Sequence, residues 1–446
     1  MRAIQGVGSA VGTRLKALLR AEGAPVAMLG AAVLMFVNRL HGAGGPLEGD
    51  AFQNLYFWIH PELALAGYDP SRTDYFASNT LHGLFSPLHW LFFGLLSLLP
   101  AVPPLVRAYL LNVLVAASLI MLLGLGVYAF VRARGLSRSA ALLAASIASF
   151  TGFHLVGVRE FDYFYLYSFA AVAPLFHCVL RMGEAGRDRT AWTVAAGLIV
   201  GVSLLGGGNV PLFLYVPFLF LVPVLARPWR RPDRALAAWL GSIAGSVTLG
   251  LMIAAPVLVV GLGNRRLWNR AGLGFQEFGS FDPVSLVCTL LLRDWWSLGV
   301  VHFHERDAFL GLPVIALALH GAVVTVRACA DHRTRSIPSG PAAEPGLRLV
   351  LALCAVWGLL VMLCGVLPDA MQRAIGTFYT AQSIRYPHRF AMLVQLPVAY
   401  LAAVGLDAAS GRGFVRMLFW GLTGTGLVAW AALVGPVDTL VRALPD

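Results

Sequence analysis

The sequence repeats one feature along nearly its whole length: uncharged apolar runs of about 20 residues, each able as a helix to cross a hydrocarbon core of about 30 Å. Inside lipid only helices and closed barrels satisfy their own backbone, and these runs are continuous rather than alternating. They are read as helices. Charged residues make up only 12% of the chain, against about 25% in a typical soluble domain, so most of the surface is expected to meet something other than water. Spans are expected at roughly 25–41, 105–131, 138–155, 163–182, 190–206, 210–226, 235–263, 308–327, 347–367, 390–410 and 415–435. The expected fold is an all-α integral membrane protein of about eleven transmembrane helices, forming a single polytopic domain over residues 1–446.

Charge placement orients that bundle. With the N-terminus inside, the cytoplasmic side collects Arg132, Arg134, Arg138, Arg181, Arg187, Arg189, Arg230 and Arg231 among others, and is net +13. The other side is net −2, and the two together restore the overall +11. Short basic loops on one side are the positive-inside signature, so the excess reflects topology rather than an affinity for nucleic acid. The run 84–100 would invert every later loop if it crossed. Ser86, Pro87, His89 and Trp90 also suit an interface, so an outer interfacial or re-entrant helix is expected there. The inner (plasma) membrane of a bacterium is the expected location.

No cleavable signal peptide is evident, and no Walker loop, HExxH, GxSxG or internal repeat is found. The five cysteines show no metal spacing, and no cofactor is expected. Mid-span positions read as apolar, which together with the lack of repeats disfavours a lipid or solute transporter.

Function is expected where polar residues gather, on three long outer loops at 41–85, 263–307 and 368–389. Asp50 follows the first span; it either solvates a helix end or acts as a general base beside a hydrophobic cavity. Arg159, Glu160 and Asp162 occupy a short outer turn, as simple solvation or as a second acid near Asp50. Arg385, His388 and Arg389 stand on the outer side against the charge trend, and Pro387 suits a first helical turn. Helix N-terminal amides and guanidinium groups there could converge on a lipid phosphate, or the arginines could reach outer headgroups. Phe161, Tyr163, Phe164, Tyr165 and Tyr167 read as an aromatic belt at the interface.

Four passages, in order, carry a likeness to a known family. They are Gly49-Asp50 after the first span; Phe85-Ser86-Pro87-Leu88-His89-Trp90 leading to Leu98-Leu99-Pro100; Arg132 to Arg138 followed by Ala140–Leu143 and Gly152-Phe153-His154; and Arg385–Phe390 running to Gly405-Leu406-Asp407. Through these the chain resembles the polytopic glycosyltransferases of the GT-C superfamily, particularly the YfhO-like branch. The resemblance implies a GT-C-like fold and transfer of a sugar from a polyprenyl-phosphate donor at the outer leaflet, with inversion. It gives Asp50 the role of base, and gives Arg385 and Arg389 that of stabilising the leaving phosphate. Membrane lipids and protein subunits of a larger complex are further expected partners. The first loop departs from the pattern, with Tyr68-Asp69-Pro70 where relatives carry Trp-Asn-Pro and no double glycine. A non-catalytic membrane scaffold of the same fold therefore remains the alternative.

Overall fold

The computed structural model describes residues 22–34, 86–99, 101–151, 165–184, 188–206, 209–226, 233–263, 283–291, 310–334, 344–380 and 390–409. Helix α1 covers Glu22–Leu34. It is followed by α2 Pro87–Ser97, α3 Pro104–Ala133, α4 Arg138–Ser149, α5 Tyr165–Glu184, α6 Arg189–Leu205 and α7 Asn209–Ala226. Next come α8 Asp233–Ile253, α9 Ala255–Gly263, α10 Pro283–Leu291, α11 Leu312–Thr334, α12 Glu344–Met362, α13 Asp369–Thr380 and α14 Ala391–Ala409. Apart from a 3-10 turn at Cys364–Val366, every regular element among the described residues is α-helical.

Four of these segments are long and apolar enough to cross a membrane: Tyr109–Ala133, Tyr165–Glu184, Arg234–Ile253 and Ala391–Ala409. The chain is a helical membrane protein. The α14 span is 83% buried inside the bundle and the α8 span only 22%, so α14 is the central post and α8 lies at the edge.

Between helices in lipid, close packing rather than hydrophobicity drives contact, and small residues permit it. At the α11–α14 crossing, a Cβ on Gly321 would overlap the Leu401 carbonyl, and one on Gly405 the Leu317 carbonyl. The α6–α8 crossing does the same with side chains: Gly197 accommodates Leu249, Gly201 accommodates Ile253, and Gly250 accommodates Val200.

Prolines inside helices leave carbonyls without their usual donor four residues on. Pro397 in α14 frees the Leu393 carbonyl. The Tyr215 hydroxyl of α7, fully buried, donates there at 3.2 Å and to the Met392 carbonyl at 3.0 Å. Tyr215 in turn packs edge-on to Phe176 of α5.

The helices run in known directions because two of them end on one turn. Gly135, at φ 81°, closes the turn after α3. There Arg134 pairs with Glu184, the end of α5, at 3.7 Å, and the Ser137 amide donates to Asp407, near the end of α14, at 3.1 Å. Both helices therefore begin at the opposite end, about 30 Å away at 1.5 Å per residue. We call the arginine-bearing end the near end and the other the far end.

Several expected segments take a different form. The run 235–263 divides at Ala254, because Pro256 cannot donate to the Met252 carbonyl. The bonds from Ala254 N to Gly250 O and from Leu258 N to Ala254 O, both 3.0 Å, keep the break to a kink. In 138–155 the helix stops at Ser149, only about 18 Å long. The outer loop 368–389 contains α13, an amphipathic helix with Ile375 buried and Met371 exposed. Helix α2, within 84–100, has 11 residues and rises about 16 Å, about half a hydrocarbon core. The expected span 415–435, all of loop 41–85 and most of loop 263–307 lie outside the described residues.

Candidate functional site

All seven residues nominated from the sequence, Asp50, Arg159, Glu160, Asp162, Arg385, His388 and Arg389, lie outside the described residues. Described chain beside each of their segments lies at the far end: Ser86 through its bond to Tyr167, Tyr165 at the start of α5, and Phe390 at the start of α14. Ser86 follows the first loop, Thr151 and Tyr165 flank the 152–164 turn, and Thr380 and Phe390 flank the 381–389 stretch. Phe390 belongs to this end because α14 starts there. The end of α12 joins it, since Gly358 packs against Val394 and the Phe390 carbonyl.

The far end is fastened by a buried hydrogen-bonded cluster. Ser86 caps α2, its hydroxyl accepting from the His89 amide at 3.4 Å, and Pro87 fixes the first helical φ. The Ser86 Oγ also lies 2.8 Å from His89 Nδ1 and shares a short hydrogen bond with the Tyr167 hydroxyl of α5. Tyr167 Oη is 3.3 Å from the same His89 nitrogen. Ser86 and His89 are fully buried. Burial pushes the His89 imidazole well below its ordinary range, so it is neutral. The neutral imidazole, the Ser86 hydroxyl and the Tyr167 hydroxyl thus share one set of hydrogen bonds, whose direction follows the His89 tautomer. Ser203 of α6 donates to the Tyr167 carbonyl at 3.3 Å, and the Tyr167 ring fills the space where Gly206 lacks a Cβ. This corrects the belt expectation for Tyr165 and Tyr167, which are 8% and 5% exposed. Tyr167 faces the bundle because Gly206 and α2 offer a slot that lipid does not.

A second feature of this end is buried polar side chains without partners. Helix hydroxyls elsewhere bond back to their own helix: Thr193 to the Arg189 carbonyl, Ser203 to Ile199, Ser242 to Ala238 and Thr325 to Gly321. Thr151 Oγ1, Ser168 Oγ and both amide atoms of Gln395 have no hydrogen-bond partner among the described residues. These three residues are at most 3% exposed.

The near end is built differently. Glu22 receives the Tyr128 hydroxyl and pairs with Arg132 at 3.2 Å and Arg138 at 3.4 Å. The Tyr128 hydrogen bond holds its carboxyl below the usual carboxylate range against the opposing effect of burial, and Arg132 and Arg138 add to the lowering. Arg181 joins Arg134 on Glu184 at 2.9 Å. No group of three His, Cys, Asp or Glu able to hold a metal occurs among the described residues, and Cys178, Cys354 and Cys364 are buried thiols.

No protein-family model, curated protein or solved structure matches the chain. Its function is therefore read from its own residues. Of the far-end groups, Gln395 was visible as the one amide in an apolar run, and Ser86 and His89 as polar residues in 84–100. Tyr167 gave no such signal, because its partner lies 81 residues away.

Proposed function

We propose that the chain is a GT-C-like membrane glycosyltransferase of about eleven spans. It moves a sugar from a polyprenyl-phosphate donor to an acceptor hydroxyl at the extracytoplasmic face of a bacterial inner membrane. One observation carries the reading: described chain flanking all three segments that hold Asp50, Arg159–Asp162 and Arg385–Arg389 gathers at the far end, opposite the arginine turns. A bundle whose basic turns face the cytoplasm would present that end outward.

In this reading Asp50 takes the acceptor's hydroxyl proton. The acceptor oxygen forms a bond to the anomeric carbon on the face opposite the phosphate, and the carbon–oxygen bond to the lipid phosphate breaks. The phosphate leaves with the electron pair, stabilised by Arg385 and Arg389 with His388 and Arg159 in support. Glu160 and Asp162 are the reserve acids. The activated sugar brings its own leaving group, so no nucleotide enters the step.

The test is transfer from polyprenyl-phosphate sugars in proteoliposomes. Asp50→Asn keeps the shape and removes the base, so the rate should fall about 10²–10⁴-fold while donor binding persists. An Asn variant as active as wild type would move the base to Glu160 or Asp162. A wild type that binds and transfers nothing leaves the scaffold reading, which the first-loop departures favour.

A further inference from the structure

Gln395 and Thr151 stand at one level on packed elements. The α4 and α14 helices lie against each other, and both are tied to the near-end turn, α4 by following it and α14 through Asp407. Gln395 is 12 residues before Asp407 and Thr151 is 13 after Arg138, so each sits about 18–20 Å above that turn. Ser168, in the first turn of α5, lies within another turn or so of that height.

A buried amide with neither atom bonded is costly. A few such groups in native proteins occur where a ligand, ion or water completes them. The chemistry of this set is specific. It offers an amide, which donates and accepts, and hydroxyls, which do both, and it includes no charged side chain. Such a set carries no charge to neutralise a phosphate and has no carboxylate, imidazole or thiolate; its paired donors and acceptors match vicinal hydroxyl groups.

We propose that Gln395, with Thr151 at the same level of the bundle, recognises the hydroxyls of the neutral sugar ring, a role that rests on the glycosyl-transfer reading above. Phosphate recognition and sugar recognition are then divided between separate residues. Gln395 is a specificity-determining residue, held in place by the Tyr215 bond to the Met392 and Leu393 carbonyls.

The experiment compares binding of farnesyl phosphate with binding of farnesyl phosphate carrying glucose, galactose or mannose, in detergent, to wild type, Gln395→Leu and Thr151→Val. Wild type should prefer at least one glycosylated lipid over the sugar-free one. Gln395→Leu should cut that preference roughly fivefold, about one net hydrogen bond, with farnesyl phosphate affinity unchanged. Ligand-free Gln395→Leu should melt at or above the wild-type temperature, because an uncompensated amide has been removed. An unchanged preference in Gln395→Leu overturns the inference while leaving sugar transfer standing, and assigns the amide to ordered water. A lower melting temperature in the ligand-free variant overturns it too, by showing a structural partner. If wild type binds none of the lipids, the transfer reading falls and this assignment falls with it.

Discussion

The two ends of the bundle are built on opposite principles. The near end is charged and closed. Glu22, Arg132 and Arg138 form one ionic group, Arg134, Arg181 and Glu184 another, and Gly405 brings α14 against the α11 backbone close by. The far end is fastened by a neutral cluster instead. It is held by Ser86, His89 and Tyr167, its central helix is relieved by Pro397, and it keeps polar groups without partners. Ion pairs at a water-facing rim tolerate small movements at little cost, whereas buried neutral hydrogen bonds fix geometry and exclude water. A membrane protein can anchor itself with the first kind of end and do chemistry with the second. Loss of optimal packing at a site is a common correlate of activity.

The sharpest way to break this contrast is at Gly405. If the near end is the rigid one, Gly405→Val must force α11 from α14, since even a Cβ would overlap the Leu317 carbonyl. The expected loss is about 1–3 kcal/mol or more, read as a fall in melting temperature in detergent. Gly241→Ala is the control: nothing lies within 4 Å of the new methyl, so stability should hold or rise slightly. Equal effects at the two positions would show that the seam is loose.

Tyrosine-to-phenylalanine changes compare the ends directly. Tyr167→Phe strips the buried Ser86–His89 pair of a partner and should cost about 1–3 kcal/mol. Tyr128→Phe leaves Glu22 with two arginines and access to water, so the expected cost is below about 1 kcal/mol. The reverse order in melting temperature would make the ionic end the structural one.

The smallest effect is in pH dependence. His89 is neutral in the fold, while the unfolded chain takes up its proton near the ordinary histidine value of 6.5. Stability from the far end is therefore complete above that value and declines as pH falls below it. Glu22 has a depressed folded value, so its contribution is present above the ordinary 4.5 and is lost as pH falls through the lower folded value. A melting-temperature profile should show a first decline below about pH 6.5 that His89→Gln reduces, and a later acid decline that Glu22→Gln reduces. A single acid decline in wild type, unaffected by His89→Gln, would show the far end is not proton-sensitive.

How much of this was legible varies by residue. Helix positions were readable because an apolar run must satisfy its own backbone in lipid. The start of α2 is readable from Ser86-Pro87, a cap followed by a fixed φ. The kink at Ala254 was not read, although Pro256 announced it. In the site, Ser86 and His89 were singled out as interfacial, which understated them: both are wholly buried. Tyr167 reads as part of a belt, because an aromatic near a helix end looks the same in sequence whether it faces lipid or a neighbouring helix.

Composition and run length by themselves determined that this chain is a helical membrane protein, and the placement of arginine set which turns share a side. Those are local properties: hydropathy over a window, a proline, a capping serine. Only the tertiary structure decided the partners. It put Tyr167 on Ser86, and Gly405 on Leu317. It brought Tyr215 to the Leu393 carbonyl, 178 residues away. Gln395 was left buried without a bond. The physical reason is that a helix satisfies its backbone alone but can bury a side chain only against another helix. Which helix that is depends on packing across the whole bundle.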